Sequence, residues 1–395
     1  MTAIKIAFWI SAALVFYTYI GYGMLLWLLL AAKRLVKGHQ PEIPMPADDE
    51  LPAMTFLVCA FNEQDVVDQK MENIRQLDYP REKLHVMWVT DGSDDDTNTL
   101  LSRYDDVEIV FTPERRGKTA ALNHGISRVK TELTVMTDAN TMVNPDALRE
   151  IARCFTDKKV GCVAGEKRVI ARNDSQTAAH GEGLYWKYES RLKQWDSELH
   201  SAMGAAGELN AIRTSLYEPM PEEALLDDFV MSMRIVARGY KIAYTSHAYA
   251  MEYGSASIEE ESKRKRRIAA GGLQSCWWLR ALMNPLRYPL TAFQLVSHRV
   301  LRWTITPFAL LALVPLNVLL VMMKGGTVYT VTWLLQILFY LMALGGHLMQ
   351  RAGRKSSLLF AAYYFLFMNL NVFKGFAYLK NRTGAGGAWE KAKRG

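Results

Sequence analysis

LHVMWVTDGSDDDT, residues 84–97, joins an apolar, strand-like run to a turn crowded with carboxylates. A short apolar run bounded by Gly, Ser and Asp reads as a buried strand. Its last residue, Asp91, then stands at the strand's carboxyl end, where an open α/β sheet gathers its ligand. The design recurs on either side. MTFLVCA (54–60) runs into Glu63, ELTVMTD (132–138) closes on Asp138, and VEIVF (107–111) and VGCVAG (160–165) supply further strands. Stretches with apolar residues at three- and four-residue spacing, such as 118–129 and 145–155, separate them as helices. This alternation predicts an α/β, doubly wound, mostly parallel sheet with right-handed crossovers. Asp94, Asp95 and Asp96 read as turn and capping residues, whereas Asp91 and Asp138 read as functional.

The chain has 395 residues, 50% hydrophobic and 22% charged, too polar for a pure bundle of spans. Its apolar mass collects at the two ends. The net charge of +7 is read as juxtamembrane Lys and Arg facing anionic lipid, with no nucleic-acid partner. Four cysteines without CxxC spacing exclude a zinc site and a disulfide framework. Ile6 to Ala32 is uncharged and longer than the ~20 residues a span requires, and it ends at Lys33, Arg34 and Lys37. It reads as an uncleaved anchor that leaves the following domain in the cytoplasm.

Three more apolar stretches follow: 303–323, 325–349 and the weaker 358–373, which Asn369, Asn371 and Lys374 interrupt. Two readings of the last stay open, a full span and a re-entrant or interfacial helix. Residues 275–302 mix Trp277, Trp278, Tyr288 and Phe293 with Arg280, Arg287, Arg299 and Arg302. They predict amphipathic helices in the interface plane, cations toward water. The expected organisation is an anchor (1–37), a linker (38–53), a central domain (54–274), interface helices (275–302), transmembrane α-helices (303–380) and a basic tail (381–395).

Six segments carry the chemistry, in this order: VCAFNE (58–63), VTDGSDDDT (89–97), ERRGKTAALN (114–123), MTDAN (136–140), LLDDFVMSMR (225–234) and KRKRR (263–267). From about residue 54 to 272 they resemble the inverting family-two glycosyltransferases, in the branch containing cellulose, hyaluronan and poly-N-acetylglucosamine synthases. The flanking spans match that branch's layout. The resemblance implies a GT-A-like fold, a UDP-sugar donor, and a glycan or lipid-linked sugar as acceptor. It also implies an integral protein of the bacterial inner membrane, with export subunits or a homo-oligomer as partners.

Residue by residue, the resemblance implies that Glu63, Asp91, Lys118, Asp138, Arg264 and Arg267 bind the nucleotide-sugar, with Arg116 assisting. Asp138 and Asn140 would hold Mg²⁺ or Mn²⁺, which neutralises charge on the departing diphosphate. Asp228 would be the catalytic base, and Asp227 structural, helix-capping or acceptor-facing. Gly207 and Glu208, in GAAGELNAIR (204–213), would meet the acceptor, small side chains allowing close approach. Three positions depart from the family pattern. Thr90 stands where a second Asp precedes Asp91, Asn140 replaces a carboxylate, and Ile268 replaces the Trp of QxxRW. The lost indole removes a stacking platform and weakens the processive reading against single addition. Tyr185, Trp186, Tyr188 and Trp195 read as packing more readily than as sugar stacking. A non-catalytic assembly subunit is the rival of another class, disfavoured by the retained Asp91, Lys118, Asp138 and Asp228.

Overall fold

The computed structural model describes residues 1–38, 43–170, 177–255, 257–352 and 356–381. One eight-stranded sheet forms its centre. The strands are β1 (Met54–Ala60), β2 (Leu84–Asp91), β3 (Glu108–Thr112), β4 (Leu133–Asp138), β5 (Met142–Val143), β6 (Val160–Ile170), β7 (Leu209–Arg213) and β8 (Lys241–Tyr253). Their order is β3-β2-β1-β4-β7-β6-β8-β5. β1 pairs in parallel with β2 and with β4, and β2 with β3, as the alternation predicts. The chain therefore leaves β1 in one direction, through β2 and β3, and returns to its other side at β4. That reversal places the ligand crevice at the carboxyl ends of β1 and β4.

The far half is not parallel throughout. β7 runs antiparallel to β4 and β6, and β5 antiparallel to β8, so the sheet is mixed. β8 escapes a reading from apolar runs because it buries Ala248 and Ala250, with no block of large aliphatics. Along β1 the period of two is clear. Phe56, Val58 and Ala60 enter one core, and Leu57 and Cys59 the other. Both faces are covered, which is why β1 reads as an unbroken apolar run.

At the amino end, α1 (Thr2–Phe16) and α2 (Tyr22–Lys37) form one rod through a π-turn at Tyr17–Gly21. In the central domain, α3 (Val67–Arg75), α4 (Thr97–Leu101), α5 (Lys118–Ile126) and α6 (Ala147–Phe155) follow successive strands. α7 (Thr177–Leu199) and α8 (Asp227–Ala237) flank β7, and α9 (Ile258–Trp278) leaves the end of β8. Then come α10 (Pro289–Leu295), α11 (Leu301–Trp303), α12 (Ile305–Met322), α13 (Thr327–Arg351) and α14 (Ser357–Asn381). Among the described residues, four helices are long and apolar enough to cross a membrane: the Thr2–Lys37 rod, α12, α13 and α14.

Two expectations about the flanks change. Arg299 and Arg302, expected to face water, point inward at the buried Glu189 of α7, at 2.6 and 3.2 Å. Burial opposes the Glu189 charge, yet Arg299, His298 and Arg302 outweigh it and hold the carboxyl well below its usual range. Asp196, one helix face along, accepts from Tyr22 of α2 and pairs with His298, each at 2.5 Å. This polar seam fastens the amino-terminal rod to the central domain. Trp278 likewise packs into the core, whereas Trp277 is exposed beneath Arg280.

The weak last stretch is one continuous helix, α14, lying along α9. The two asparagines that interrupt it are satisfied, not solvated, whereas Lys374 is exposed. Asn369 accepts from Tyr19 at 2.7 Å, and Asn371 accepts from Ser262 at 2.8 Å. The expected tail cations Lys391, Lys393 and Arg394 lie outside the described residues.

Candidate active site

The strand ends converge as the sequence implies, through different partners. Asp91 is buried, and its carboxylate accepts from the backbone N–H groups of Arg116 (3.0 Å) and Gly117 (2.6 Å). It thus fixes the loop that launches α5. Gly92 makes that approach possible: it sits at φ +67°, and a Cβ there would stand 2.6 Å from the Arg115 nitrogen. Asn62, after β1, clamps the same turn through Asp94 at 2.6 Å. Asp95, not Asp96, does the capping, accepting from the Thr97 N–H at 3.0 Å. Glu63 is buried beside this clamp, its N–H donating to the Thr97 hydroxyl at 2.8 Å.

From the first turn of α5, Lys118 reaches across to Asp138 at 2.6 Å and stands 4.0 Å from Asp227. Burial alone pulls an ammonium's pKa down, but Asp138 and Asp227 outweigh it and raise Lys118 above the ordinary lysine value. Asp227 and Asp228 open α8. The capping role considered for Asp227 is not found, since the helix start has no side-chain cap. Instead Asp228 accepts from the N–H of Phe229 at 2.8 Å. Burial, then the like charge of Asp227, pushes the Asp228 carboxyl up to about 7, against the pull of Lys118.

Gly207 closes the group. A Cβ on it would lie 3.4 Å from the Lys118 ammonium and 3.5 Å from an Asp228 oxygen. Lys118, Gly207, Asp227 and Asp228 share one cavity of about 10 Å³ with Cys59 and Asn210. That is room for about one water.

A second polar layer borders it. Glu208 pairs with Lys167 at 2.6 Å and with Arg264 of α9 at 3.0 Å, and Glu252 joins the same group. Although burial opposes its charge, Lys167 and Arg264 hold the Glu208 carboxyl well below its usual range. Arg267, one turn further along α9, is different. Its Nε is buried without a hydrogen-bond partner, and among the described residues no carboxylate pairs with it. Burial and the nearby Arg264 lower its pKa, while Asp227, Asp138 and Asp228 pull the other way. A desolvated cation aimed at such a crevice is stabilised by an incoming anion.

Sequence reasoning missed Lys70. It is fully buried under β4 and donates to the Thr141 carbonyl at 2.5 Å, holding the loop that carries Asp138 and Asn140. Burial drops its pKa to about 7. A lone Lys in an amphipathic helix gives no sequence signal for this. Arg116 was expected to assist with phosphate, but its side chain turns outward to Glu222. Trp186 is ringed by Lys167, Lys193 and Lys265, all within 6 Å of its ring. Tyr185 lies outside the residues whose side chains are described.

The donor set can be tested against a divalent ion. Among the described residues no cluster of three His, Cys, Asp or Glu could hold a metal. Asp138 and the amide oxygen of Asn140 are two hard donors, and Mg²⁺ commonly takes one or two side chains plus substrate phosphates. The residues therefore fit an ion that arrives with a diphosphate.

A model described as glycosyltransferase like family 2 matches residues 52–271. The poly-beta-1,6-N-acetyl-D-glucosamine synthase of Staphylococcus aureus (strain MSSA476) is 28% identical over 239 residues, covering 57% of this chain and 55% of that protein. The probable glycosyltransferase YdaM of Bacillus subtilis (strain 168) is 26% identical over 235 residues, 56% of each chain. The chain spans about half the length of the curated relatives it matches. Among solved structures, a mannosyltransferase from Pyrobaculum calidifontis in complex with GDP-Man and Mn²⁺ superposes with a TM-score of 0.68. It covers 95% of this chain and 99% of its own at 22% identity, a likeness of fold.

Proposed function

Since this chain belongs to the glycosyltransferase like family 2, we propose that it transfers a sugar from a UDP-sugar, with inversion, to a glycan or lipid-linked acceptor. The work is done at the cytoplasmic face of a bacterial inner membrane, in making a cell-envelope polysaccharide. One observation carries the reading. Lys118, Asp138, Asp227 and Asp228 meet at the carboxyl end of the parallel strands, and the half-buried Arg267 beside them has no carboxylate partner among the described residues. Such a cluster sets cations for a departing diphosphate next to a base.

In this mechanism the diphosphate takes over Lys118 and Arg267. Asp138 and Asn140 would hold Mg²⁺ or Mn²⁺, which would supply neutralisation of the charge on the leaving diphosphate. Asp91 keeps the 115–117 loop in register for the nucleoside, and Glu63 braces the same turn. The Gly207 backbone admits the acceptor to within reach of Asp228, and Glu208 is held in place by Lys167 and Arg264. Asp228 removes the proton from the acceptor hydroxyl as its oxygen attacks the anomeric carbon from the face opposite the diphosphate.

Single addition to a lipid-linked sugar is the second reading, supported by Ile268 in the place of an acceptor-facing Trp. The test supplies membranes containing the full chain with a panel of radiolabelled UDP-sugars and GDP-mannose, with Mg²⁺ or Mn²⁺, and sizes the product. A UDP-sugar giving long chains supports the processive version, and mono-glycosylated lipid alone supports single addition. Turnover with GDP-mannose only overturns the UDP assignment. No transfer under any condition favours a non-catalytic assembly subunit.

A further inference from the structure

Helix α9 carries five consecutive cations, and they do not all face the crevice. Successive residues turn by about 100° around the axis. Arg264 and Arg267 therefore share the side facing Glu208 and Asp227, while Arg266 looks toward α14. There its guanidinium lies 5.0 Å from the centre of the Tyr378 ring. Between the two helices opens a cleft of about 420 Å³, lined by Arg266, Lys374, Ala377, Tyr378 and Asn381.

The cleft's charges are unbalanced. Lys263 has Glu260, Arg264 has Glu208 and Lys265 has Glu261. Among the described residues no carboxylate pairs with Arg266 or Lys374, and none lines the cleft. Among the described residues the buried Nε of Arg266 has no hydrogen-bond partner, and Lys374 reaches only the Ser262 hydroxyl, at 3.3 Å. The surroundings are apolar. Leu370, one turn before Lys374 on the same face of α14, is 55% exposed, on a helix apolar enough to enter a membrane.

We propose that this cleft binds the phosphate headgroup of an anionic membrane lipid, its acyl chain lying over Leu370. Two unpaired cations supply the charge complement, Arg as a fork for phosphate oxygens and Lys as a point charge. Free phosphate would gain nothing from the exposed Leu370 beside the cations, whereas a lipid buries both ends of itself there. The site lies on the opposite side of α9 from the donor crevice, and Gly375 of α14 packs on Ala269 and Ala270. Lipid occupancy therefore clamps α9 to α14 and steadies Arg267 across the helix. The binding claim does not depend on the transferase reading.

The test reconstitutes the full chain in nanodiscs and measures retained lipid by native mass spectrometry. Wild type is expected to prefer phosphatidylglycerol over phosphatidylcholine at least tenfold. The double variant Arg266→Gln/Lys374→Gln should bring the two within twofold, and Arg103→Gln/Lys158→Gln, on exposed cations of the central domain, should leave the preference intact. If the double variant does not fold, Lys374→Glu at an exposed position carries the same comparison. An undiminished preference in these cleft variants overturns the site. Displacement of the lipid by millimolar inorganic phosphate overturns its assignment to a lipid.

Discussion

In the proposed mechanism Asp228 is the base, and its surroundings place its titration near neutrality. Burial and Asp227 raise its carboxyl to about 7, so its ionisation changes around neutral pH. A base acts only when deprotonated, and activity is lost as pH falls through that value. The expected kcat/KM profile rises roughly tenfold per unit below pH 7 and levels above it, because this parameter reports the free enzyme. Asp227→Asn removes a like charge and should move the rising limb to lower pH. A flat profile down to pH 5 contradicts the assignment. Asp91 and Asp138 were legible from sequence because each ends an apolar strand. Lys70 was not, nor was Glu252, because their roles arise only when α3 and β8 pack against the Asp138 and Glu208 segments.

Among the elements, α8 depends on a glycine in the preceding loop. Gly204 sits at φ +92°, and a Cβ there would overlap the ring of Phe229, the residue after Asp228. The same ring stacks edge-on against Trp303, at 5.2 Å between centroids, linking the first turn of α8 to the membrane-side helices. Gly204→Ala should therefore displace the base by a fraction of an ångström and strain the loop. We expect kcat to fall about 10- to 100-fold, by lost positioning, with stability reduced by about 1–3 kcal/mol. Donor KM should change far less, which steady-state kinetics and a thermal melt would read together. Equal losses in kcat and donor affinity would place Gly204 elsewhere in the mechanism. β1 to β4 were readable because parallel strands covered on both faces are continuous apolar runs. β7 and β8 were not, since β7 hides in a run of small residues and β8 buries alanines.

For the whole molecule, the catalytic domain and the α12–α13 turn occupy opposite ends of the membrane rod. Lys5, at the chain's start, donates to the Gly325 carbonyl in that turn at 3.0 Å, whereas Arg34 pairs with Glu198 of the central domain at 2.7 Å. The proposed cytoplasmic side of the central domain then places the turn outside. A membrane-impermeant maleimide should label Lys324→Cys in intact cells and Arg103→Cys only after permeabilisation. The background is low: Cys59 and Cys162 are buried, and burial raises the thiols of Cys154 to about 11 and Cys276 to about 12. The reverse labelling pattern would invert the topology. The sequence foretold the spans at the two ends. It did not foretell the inward Arg299 and Arg302, since a sequence shows cations but not the Glu189 that recruits them.

The central claim, a diphosphate crevice with Asp228 as base, is tested most directly by Asp228→Asn in the full chain. Turnover and UDP binding should be measured on the same preparation. The account predicts turnover reduced by about 10²–10⁴-fold, the usual range for losing a general base, with UDP affinity within a few-fold of wild type. Turnover at the wild-type rate would contradict it.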